Sequence, residues 1–513
     1  MRVGVDVGTS VTKAAVFGPD GSLTSVRSRA TDMLRPAPGC YEHDSNQVFS
    51  AVLDLLTELD SDQVDLIAIT GQGDGLWLLD AGGAPARAAM SWMDNRGAPD
   101  CRSWADNDVT ETIFRRTGNA PFPGAGAALL SALDRLEPDA LTAADTATQC
   151  QHAIMQGLTG ARAATRSAAM LGVFDPATGA YDTEAIRLTG LSHYTRLLPT
   201  IAAEAAAIAP IRPELARRTG IRPGTLVASG PYDLPAAAFG AGVTGVGDGL
   251  LIIGTTLACL VVHPSVPTGG EPAGLTLCVA DDSGYLRAMP AMVGTAGLDW
   301  ILNIVGAAHA DLDTMLRTSA AGANGVAALP YLSPAGERAP FVDPAASAEF
   351  TGLSLATTPA DLVRALCESL AYAARHCFQA AGLAGTVTVC GGGSASGELV
   401  RVFADVLGRP IAVVDQPETT ARGAVLAAGA ALDAAADVAG SIPRATPAAT
   451  TLVQPSPGNR TRYDDGYAAY LDRVRTARSV GWPGAARSSQ FSQQRFTYRQ
   501  PAEIHGLRAP VKE

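Results

Sequence analysis

Positive charge is in deficit in this 513-residue sequence: 38 Lys and Arg stand against 50 Asp and Glu, a formal net charge of −12 at pH 7. Phosphate backbones are held by Lys and Arg, so this balance argues against a nucleic-acid-binding surface. A nucleotide pocket, which needs only a few local donors, stays open. No CxxC pair occurs among the eight cysteines, at 40, 101, 150, 259, 278, 367, 377 and 390, and no HExxH among the seven histidines. Those absences remove the common zinc signatures. Thiols scattered in this way read as small apolar core residues in a reducing cytoplasm. No apolar run approaches the ~20 residues that span a bilayer. No charged n-region with an apolar h-region precedes the first strand pattern. The expectation is a soluble, cytoplasmic protein with no membrane partner.

What is present is a globular composition, 47% hydrophobic and 17% charged, long enough for two to four domains. Val3, Val5 and Val7 alternate along a first strand. Gly8-Thr9-Ser10 turns the chain into a second, Val11 to Phe17. Gly18-Pro19-Asp20-Gly21 turns it again into a third, Ser22 to Arg29. A related pattern returns at Leu250 to Ile253, Gly254-Thr255-Thr256 and Leu257 to Val262. Strand and helix signals alternate between and after these copies, as at Val64 to Thr70, up to about residue 433. This predicts two α/β domains of related build, each opening on a strand–turn–strand loop.

A helix is predicted over 361–381, with Thr358 as N-cap, Pro359 in the first turn and Asp361 closing a capping box. Its apolar stripe runs through Leu362, Leu366, Leu370, Ala373 and Cys377. Strand Thr386 to Cys390, Gly391-Gly392-Gly393-Ser394 and a helix from Gly397 to Leu407 follow. Ala434 to Arg460 reads as a linker and Tyr463 to Ala477 as one amphipathic helix. Gly481 to Glu513 reads as a mobile or peripherally docked tail.

The chemistry begins at Asp6-Val7-Gly8-Thr9-Ser10 and Lys13. Gly8 permits a tight turn, and Thr9 and Ser10 offer hydroxyl and N–H donors to phosphate oxygens. Asp6, at a strand end, is placed to hold a hydrated Mg²⁺. The same residues read equally well as an Asp-Gly hairpin turn.

In order along residues 1–433 the sequence resembles the FGGY carbohydrate kinases, within the superfamily of actin, hexokinase and heat-shock chaperone ATPases. The likeness is carried by Gly39-Cys40-Tyr41-Glu42-His43-Asp44, Gly71-Gln72-Gly73-Asp74-Gly75, Trp92-Met93-Asp94-Asn95-Arg96 and Thr117-Gly118-Asn119. It continues through Leu329-Pro330-Tyr331-Leu332-Ser333, Gly336-Glu337-Arg338-Ala339-Pro340, Phe350-Thr351-Gly352-Leu353 leading to Glu368-Ser369, and the Gly391 triplet with Ala404-Asp405-Val406-Leu407-Gly408. Three departures stand out. Leu129 to Glu137 lacks the Lys and Trp of the family's first signature. Gly230-Pro231-Tyr232-Asp233-Leu234 keeps the family's Asp and loses the amide after it. Pro334-Ala335 interrupts the LPYLSGER stretch.

The resemblance implies two related ribonuclease H-like (actin/hexokinase-type) α/β domains, 1–245 for sugar and 246–440 for ATP, with a catalytic cleft between them and 441–513 outside. It implies ATP and Mg²⁺, a small carbohydrate substrate, and Asp233 as the base, although Asp233 also suits an N-cap. Gly73, Asp74, Asp94 and Arg96 would face the sugar; Arg96 pairing with Asp94 is an equal alternative. Trp77 and Trp92 fit the sugar wall or the core. Thr9, Ser10, Lys13, Thr255, Thr256, Gly294, Gly391, Gly392 and Gly393 would face the nucleotide, with Asp6 on the metal. Glu337 and Arg338 would make structural contacts between domains. A homodimer is left open.

The loop with Gly73-Asp74 differs from the GQMHG type of xylulokinases and is more similar to that of erythritol-type kinases. A short polyol therefore ranks first as substrate and xylulose or another ketopentose second. A catalytically silent sugar- and ATP-binding regulator is the reading of another class, and retention of Asp6 and Asp233 speaks against it.

Overall fold

The computed structural model describes residues 1–59, 63–168, 170, 172–202, 207–281, 283–435 and 450–482. It is built on two mixed sheets of matching strand order. In the first, Arg2–Val7 pairs antiparallel with Val11–Phe17, which pairs antiparallel with Leu23–Ala30. On the other side, Arg2–Val7 runs parallel to Leu66–Gly71, then come Leu226–Ser229, parallel, and Ile208–Pro210, antiparallel. In the second, Gly249–Ile253 pairs antiparallel with Leu257–His263 and parallel with Val387–Cys390. Tyr285–Ala291, Ile411–Val414 and Thr450–Val453 extend it in the same senses, and Leu275–Cys278 adds a strand beyond Tyr285–Ala291. This is the expected duplication, with its opening hairpins where the alternation of valines and the Gly-Thr turns put them.

Both faces of the first sheet are covered, as parallel strands require. Val3, Val5 and Val7 lie in one apolar core with Ile67, Ile69 and Val227. Gly4, on the opposite face, lies against the helix Thr419–Ala435, where a Cβ would overlap the Ala421 carbonyl. That helix packs Ala421, Ala424, Val425 and Ala428 on Ala15, Phe17, Leu66 and Ala68. The helix Asp233–Gly240 leaves the first sheet but packs Ala237 and Ala238 against Leu250, Leu260 and Leu286 of the second. The two helices therefore exchange sides. They cross backbone to backbone: Gly240 stands against the Thr419 carbonyl and Gly423 against the Ala236 carbonyl, with no room for a Cβ on either. Arg422 donates to the Gly240 carbonyl at the same crossing.

The helix Pro359–Ala381 has the predicted capping box between Thr358 and Asp361 and ends at Gly382, φ +81°. The segment read as a linker differs from expectation. Its Thr450–Val453, rich in β-branched residues, completes the second sheet as an edge strand. The helix after it runs from Arg460 to Val480, and its Tyr463 and Tyr470 are wholly buried in the second core. Trp482 also docks there, donating from Nε1 to Asp343 Oδ2 at 2.7 Å. The rest of the expected tail, 483–513, lies outside the described residues. All eight cysteines are free thiols, and among the described residues no helix is long and apolar enough to cross a membrane.

Candidate active site

The three parallel strands of the first sheet end side by side. Arg2–Val7 delivers Asp6, in register with Thr70 on one neighbour and Lys13 on the other. Leu66–Gly71 runs into Gln72-Gly73-Asp74, and Leu226–Ser229 into Gly230-Pro231-Tyr232-Asp233. Thr70 Oγ1 ties two of these turns together by donating to the Pro231 carbonyl at 2.6 Å. Three carboxylates thus gather at one sheet edge. Burial, the largest cause in each case, pushes Asp6 up to about 6, Asp74 to about 7 and Asp233 to about 8. The charge on Asp6 adds to the rise at Asp233, opposed by the Leu234 amide and Arg338. A carboxylate near 8 is a stronger proton acceptor than an ordinary Asp, as base catalysis near neutral pH demands. Asp233 is the first residue of its helix and Tyr232 holds the N-cap position, so the N-cap is not Asp233.

Asp74 has a left-handed backbone, φ +55°, in a turn held by Gly75 N–H donating to the Gly124 carbonyl at 3.0 Å. This conformation is uncommon outside Gly, Asn and Asp. Its side chain is 4% exposed, and its Oδ1 has no hydrogen-bond partner in the protein. Gly73 lies so close to Tyr232 that a Cβ would overlap the aromatic ring.

Arg338 reaches this cluster from the other half of the chain. Its guanidinium lies over Trp92, 4.9 Å from the ring centroid, and over Phe122, 5.3 Å away, while Nε donates to the Pro290 carbonyl at 2.8 Å. Burial lowers its pKa, and Glu337, Asp74, Tyr232 and Asp233 act in the opposite sense. Glu337 turns the other way. Its Oε1 accepts from the amides of Met292 (3.0 Å), Arg338 (2.8 Å) and Ala339 (3.3 Å). The expected contact between the halves is made by Arg338, on Trp92 and Phe122, whereas the hydrogen bonds of Glu337 stay within the second half.

On the nucleotide side, the Thr9 hydroxyl is already engaged. It accepts from Trp92 Nε1 at 3.0 Å and donates to Gln72 Oε1 at 3.4 Å. Gln72 Nε2 donates to His43 Nε2 at 3.1 Å, which leaves His43 Nδ1 to donate to the Asp32 carbonyl, also at 3.1 Å. Burial lowers the His43 pKa and keeps this relay neutral. Trp92 therefore belongs to the site, whereas Trp77 is core. Ser10 is exposed at the same turn. Lys13 Nζ pairs with Glu418, 2.9 and 3.1 Å from its two oxygens, so a residue of the second half answers its charge.

The second-half residues converge at the end of Gly249–Ile253. The amides of Gly294 and Thr295 donate to the carbonyls of Thr255 and Gly254 at 3.0 and 2.7 Å. Gly294 has no room for a Cβ against the Gly254–Thr256 turn. Gly391, φ +97°, and Gly393 lie on Ile253, and Gly392 faces open space. Thr255, Gly391 and Gly392 are exposed there, Thr256 and Gly393 are half-buried, and Gly294 is buried beneath the turn.

For Asp94 and Arg96 the structure contains the ion pair that stood as the equal alternative. Asp94 is fully buried, and its oxygens accept from Tyr41 N (2.8 Å), Arg96 N (2.9 Å) and the Arg96 guanidinium (2.7 to 3.2 Å). Arg96 also pairs with Glu42 at 2.5 Å and Glu137 at 3.4 Å. The pair braces the loop that carries Trp92 instead of presenting free groups to a sugar. Thr117-Gly118-Asn119 clasps the halves together: Asn119 Oδ1 accepts from Thr276 N at 2.8 Å, and the Gly118 carbonyl accepts from buried Arg287 at 2.7 Å.

With that geometry in hand, comparison with known proteins is direct. The profile of the N-terminal domain of the FGGY family of carbohydrate kinases matches residues 1–240, and that of the C-terminal domain residues 249–432. An erythritol kinase of Brucella abortus is 30% identical over 456 residues, 84% of this chain and 87% of its own. A xylulose kinase of Klebsiella pneumoniae is 30% identical over 380 residues, covering 73% and 77%. The crystal structure of a xylulose kinase from Rhodospirillum rubrum superposes with a TM-score of 0.82 at 28% identity, covering 93% of this chain and 99% of its own. Two family profiles that together span most of the chain, with relatives alike over most of their own length, place it: this chain belongs to the FGGY family of carbohydrate kinases, phosphotransferases that use ATP to phosphorylate an alcohol group.

Proposed function

We propose that this kinase phosphorylates a short polyol of the erythritol type, with Asp233 as the base that takes the proton of the attacked hydroxyl. The observation that carries the substrate reading is Asp74. Its carboxylate is buried in the cleft with an unpartnered oxygen, and it stands where the xylulokinase loop has a histidine. An ionised carboxylate only accepts hydrogen bonds, and every carbon of a polyol bears a hydroxyl that donates one. A ketose places a carbonyl, which cannot donate, at one of those carbons. The likeness to an erythritol kinase supports the same reading; a xylulose kinase equally identical over a shorter stretch keeps a ketopentose as the second.

In the proposed reaction the acceptor hydroxyl attacks the γ-phosphorus in line, its proton passes to Asp233, and ADP leaves. Lys13, Ser10, Thr255, Thr256 and the backbone at Gly294 and Gly391 to Gly393 would receive the nucleotide. Asp6 suits Mg²⁺, an ion commonly held by one or two carboxylates with phosphates and water. Bound there, the ion would draw charge from the phosphates. Arg338 and Trp92 close the site from opposite halves and keep water from the transfer. A silent regulator would be expected to have lost Asp6 or Asp233, and both are present.

The test is ADP release with Mg-ATP across tetritols, pentitols, ketopentoses and glycerol, with a no-acceptor control. The highest kcat/KM on a tetritol is expected. A clear preference for a ketopentose would replace the polyol reading, and no acceptor-dependent release on any of them would remove it.

A further inference from the structure

Tyr232 has no part in the motifs that identify the family, yet it fills the centre of the substrate side. Its ring occupies the space that any side chain at position 73 would need, since a Cβ on Gly73 would overlap three of its ring carbons. The loop has therefore not simply lost bulk relative to the GQMHG type. The volume given up by position 73 is taken by an aromatic from the adjoining strand end, one residue before the base. The ring is anchored: it is 2% exposed and packs with Ala237, Leu250 and Cys390 and with Phe122. Its hydroxyl is buried and has no hydrogen-bond partner in the protein. A buried phenol without a partner costs about 1–3 kcal/mol, so buried Tyr hydroxyls are normally satisfied. Asp74, Asp233 and Arg338 all lie within electrostatic reach of it.

We propose that Tyr232 is a specificity-determining residue of the acceptor site, its hydroxyl recognising a substrate hydroxyl adjacent to the one that Asp74 accepts. The idea rests on the kinase reading of this cleft and deepens it. The chemistry is complementary. Asp74, once ionised, only accepts, the Arg338 guanidinium only donates, and a phenol does both. A hydroxyl can donate to Asp74 Oδ1 while accepting from Arg338, and its vicinal neighbour can exchange a hydrogen bond with Tyr232. Two previously unsatisfied buried atoms, Asp74 Oδ1 and Tyr232 Oη, are then satisfied by one diol. An acceptor lacking either hydroxyl leaves one of them bare, and sites built to bind a hydroxyl reject such analogues strongly.

Tyr232→Phe keeps the ring against Gly73 and removes the one atom at issue. It is compared with the wild type on whichever acceptor of the panel the wild type uses best, and on that acceptor's deoxy analogues. The expected result is a rise of about tenfold or more in acceptor KM, an unchanged KM for ATP, and no further loss on the one analogue that lacks the hydroxyl facing Tyr232. An acceptor KM that does not move, or an equal loss on every analogue, overturns the proposal. If the best acceptor is a ketopentose the polyol reading fails, and the same comparison still decides the role of Tyr232. A second pair of variants guards against a merely structural effect: Gly73→Met alone should be damaging, and Gly73→Met with Tyr232→Gly should recover turnover with a changed order of acceptor preference. Recovery with the original order would also overturn it.

Discussion

Asp233 lies on the first turn of a helix, between the end of one sheet and the face of the other, and its burial sets its chemistry. Asp233→Asn should lower kcat by about 10²–10⁴-fold while ATP binding, read by calorimetry, is unchanged; retained turnover would remove it from the base role. In the wild type, kcat/KM should rise with pH up to about 8, as the base loses its proton. Asp74 has a consequence for stability as well. The unfolded chain releases this proton near pH 4 and the folded one near 7, so unfolding releases a proton between those values. The contribution of Asp74 is therefore fully present below pH 4, falls as pH rises to 7, and stays lost above. Asp74→Asn should gain on the ligand-free wild type by on the order of 2–4 kcal/mol between pH 4 and pH 8, measured by denaturant unfolding.

At the scale of elements, the decisive contact is the crossing of Asp233–Gly240 and Thr419–Ala435. Helical Gly→Ala changes usually stabilise by about 1 kcal/mol. Here the sign should reverse, because Gly423 meets the Ala236 carbonyl and Gly240 the Thr419 carbonyl. Gly423→Ala is expected to destabilise by about 1–3 kcal/mol, seen as a lower unfolding midpoint at unchanged slope. The sequence signal for these helices was partial. The Leu234-to-Gly240 run was legible as apolar and helical, and the capping box at Thr358 located the long helix correctly. The exchange of sides was not legible, since an alanine-rich face fits either sheet. The edge strand Thr450–Val453 was hidden for a related reason: four residues among Ala, Pro and Thr carry little pattern until a partner strand defines them.

Across the whole molecule, the two halves meet over the cleft through a few polar clasps. The Lys13–Glu418 pair is the one at the phosphate loop, and Glu418 has a left-handed backbone, φ +58°. The pair is partly exposed, so its worth to stability is about 0–1 kcal/mol. Its effect on the nucleotide should be larger under the proposed role of Lys13, because Glu418 would compete with phosphate for the same ammonium. Glu418→Gln should leave the unfolding midpoint nearly unchanged and lower the KM for ATP several-fold; an unchanged KM would show that Lys13 does not turn to the nucleotide. The clasp of Thr117-Gly118-Asn119 onto Thr276 and Arg287 joins the halves at a second place.

The order of the motifs, the duplicated strand–turn–strand openings and the positions of Asp6, Asp74 and Asp233 could be read without coordinates. Those features are local: alternation, turn residues and caps act within a few positions of the chain. The α/β fold class was legible from those local signals, and the kinase chemistry from the resemblance of the ordered motifs to the family. Tertiary structure alone decided which polar residues face the cleft. It turned Arg338 inward and Glu337 away, consumed Asp94 and Arg96 in an ion-pair network, gave Lys13 a partner 405 positions distant, and set the Tyr232 ring in the space above Gly73. Each is an outcome of burial and of contacts between segments far apart in the chain, where direction, and not residue type or spacing, determines what a side chain can do.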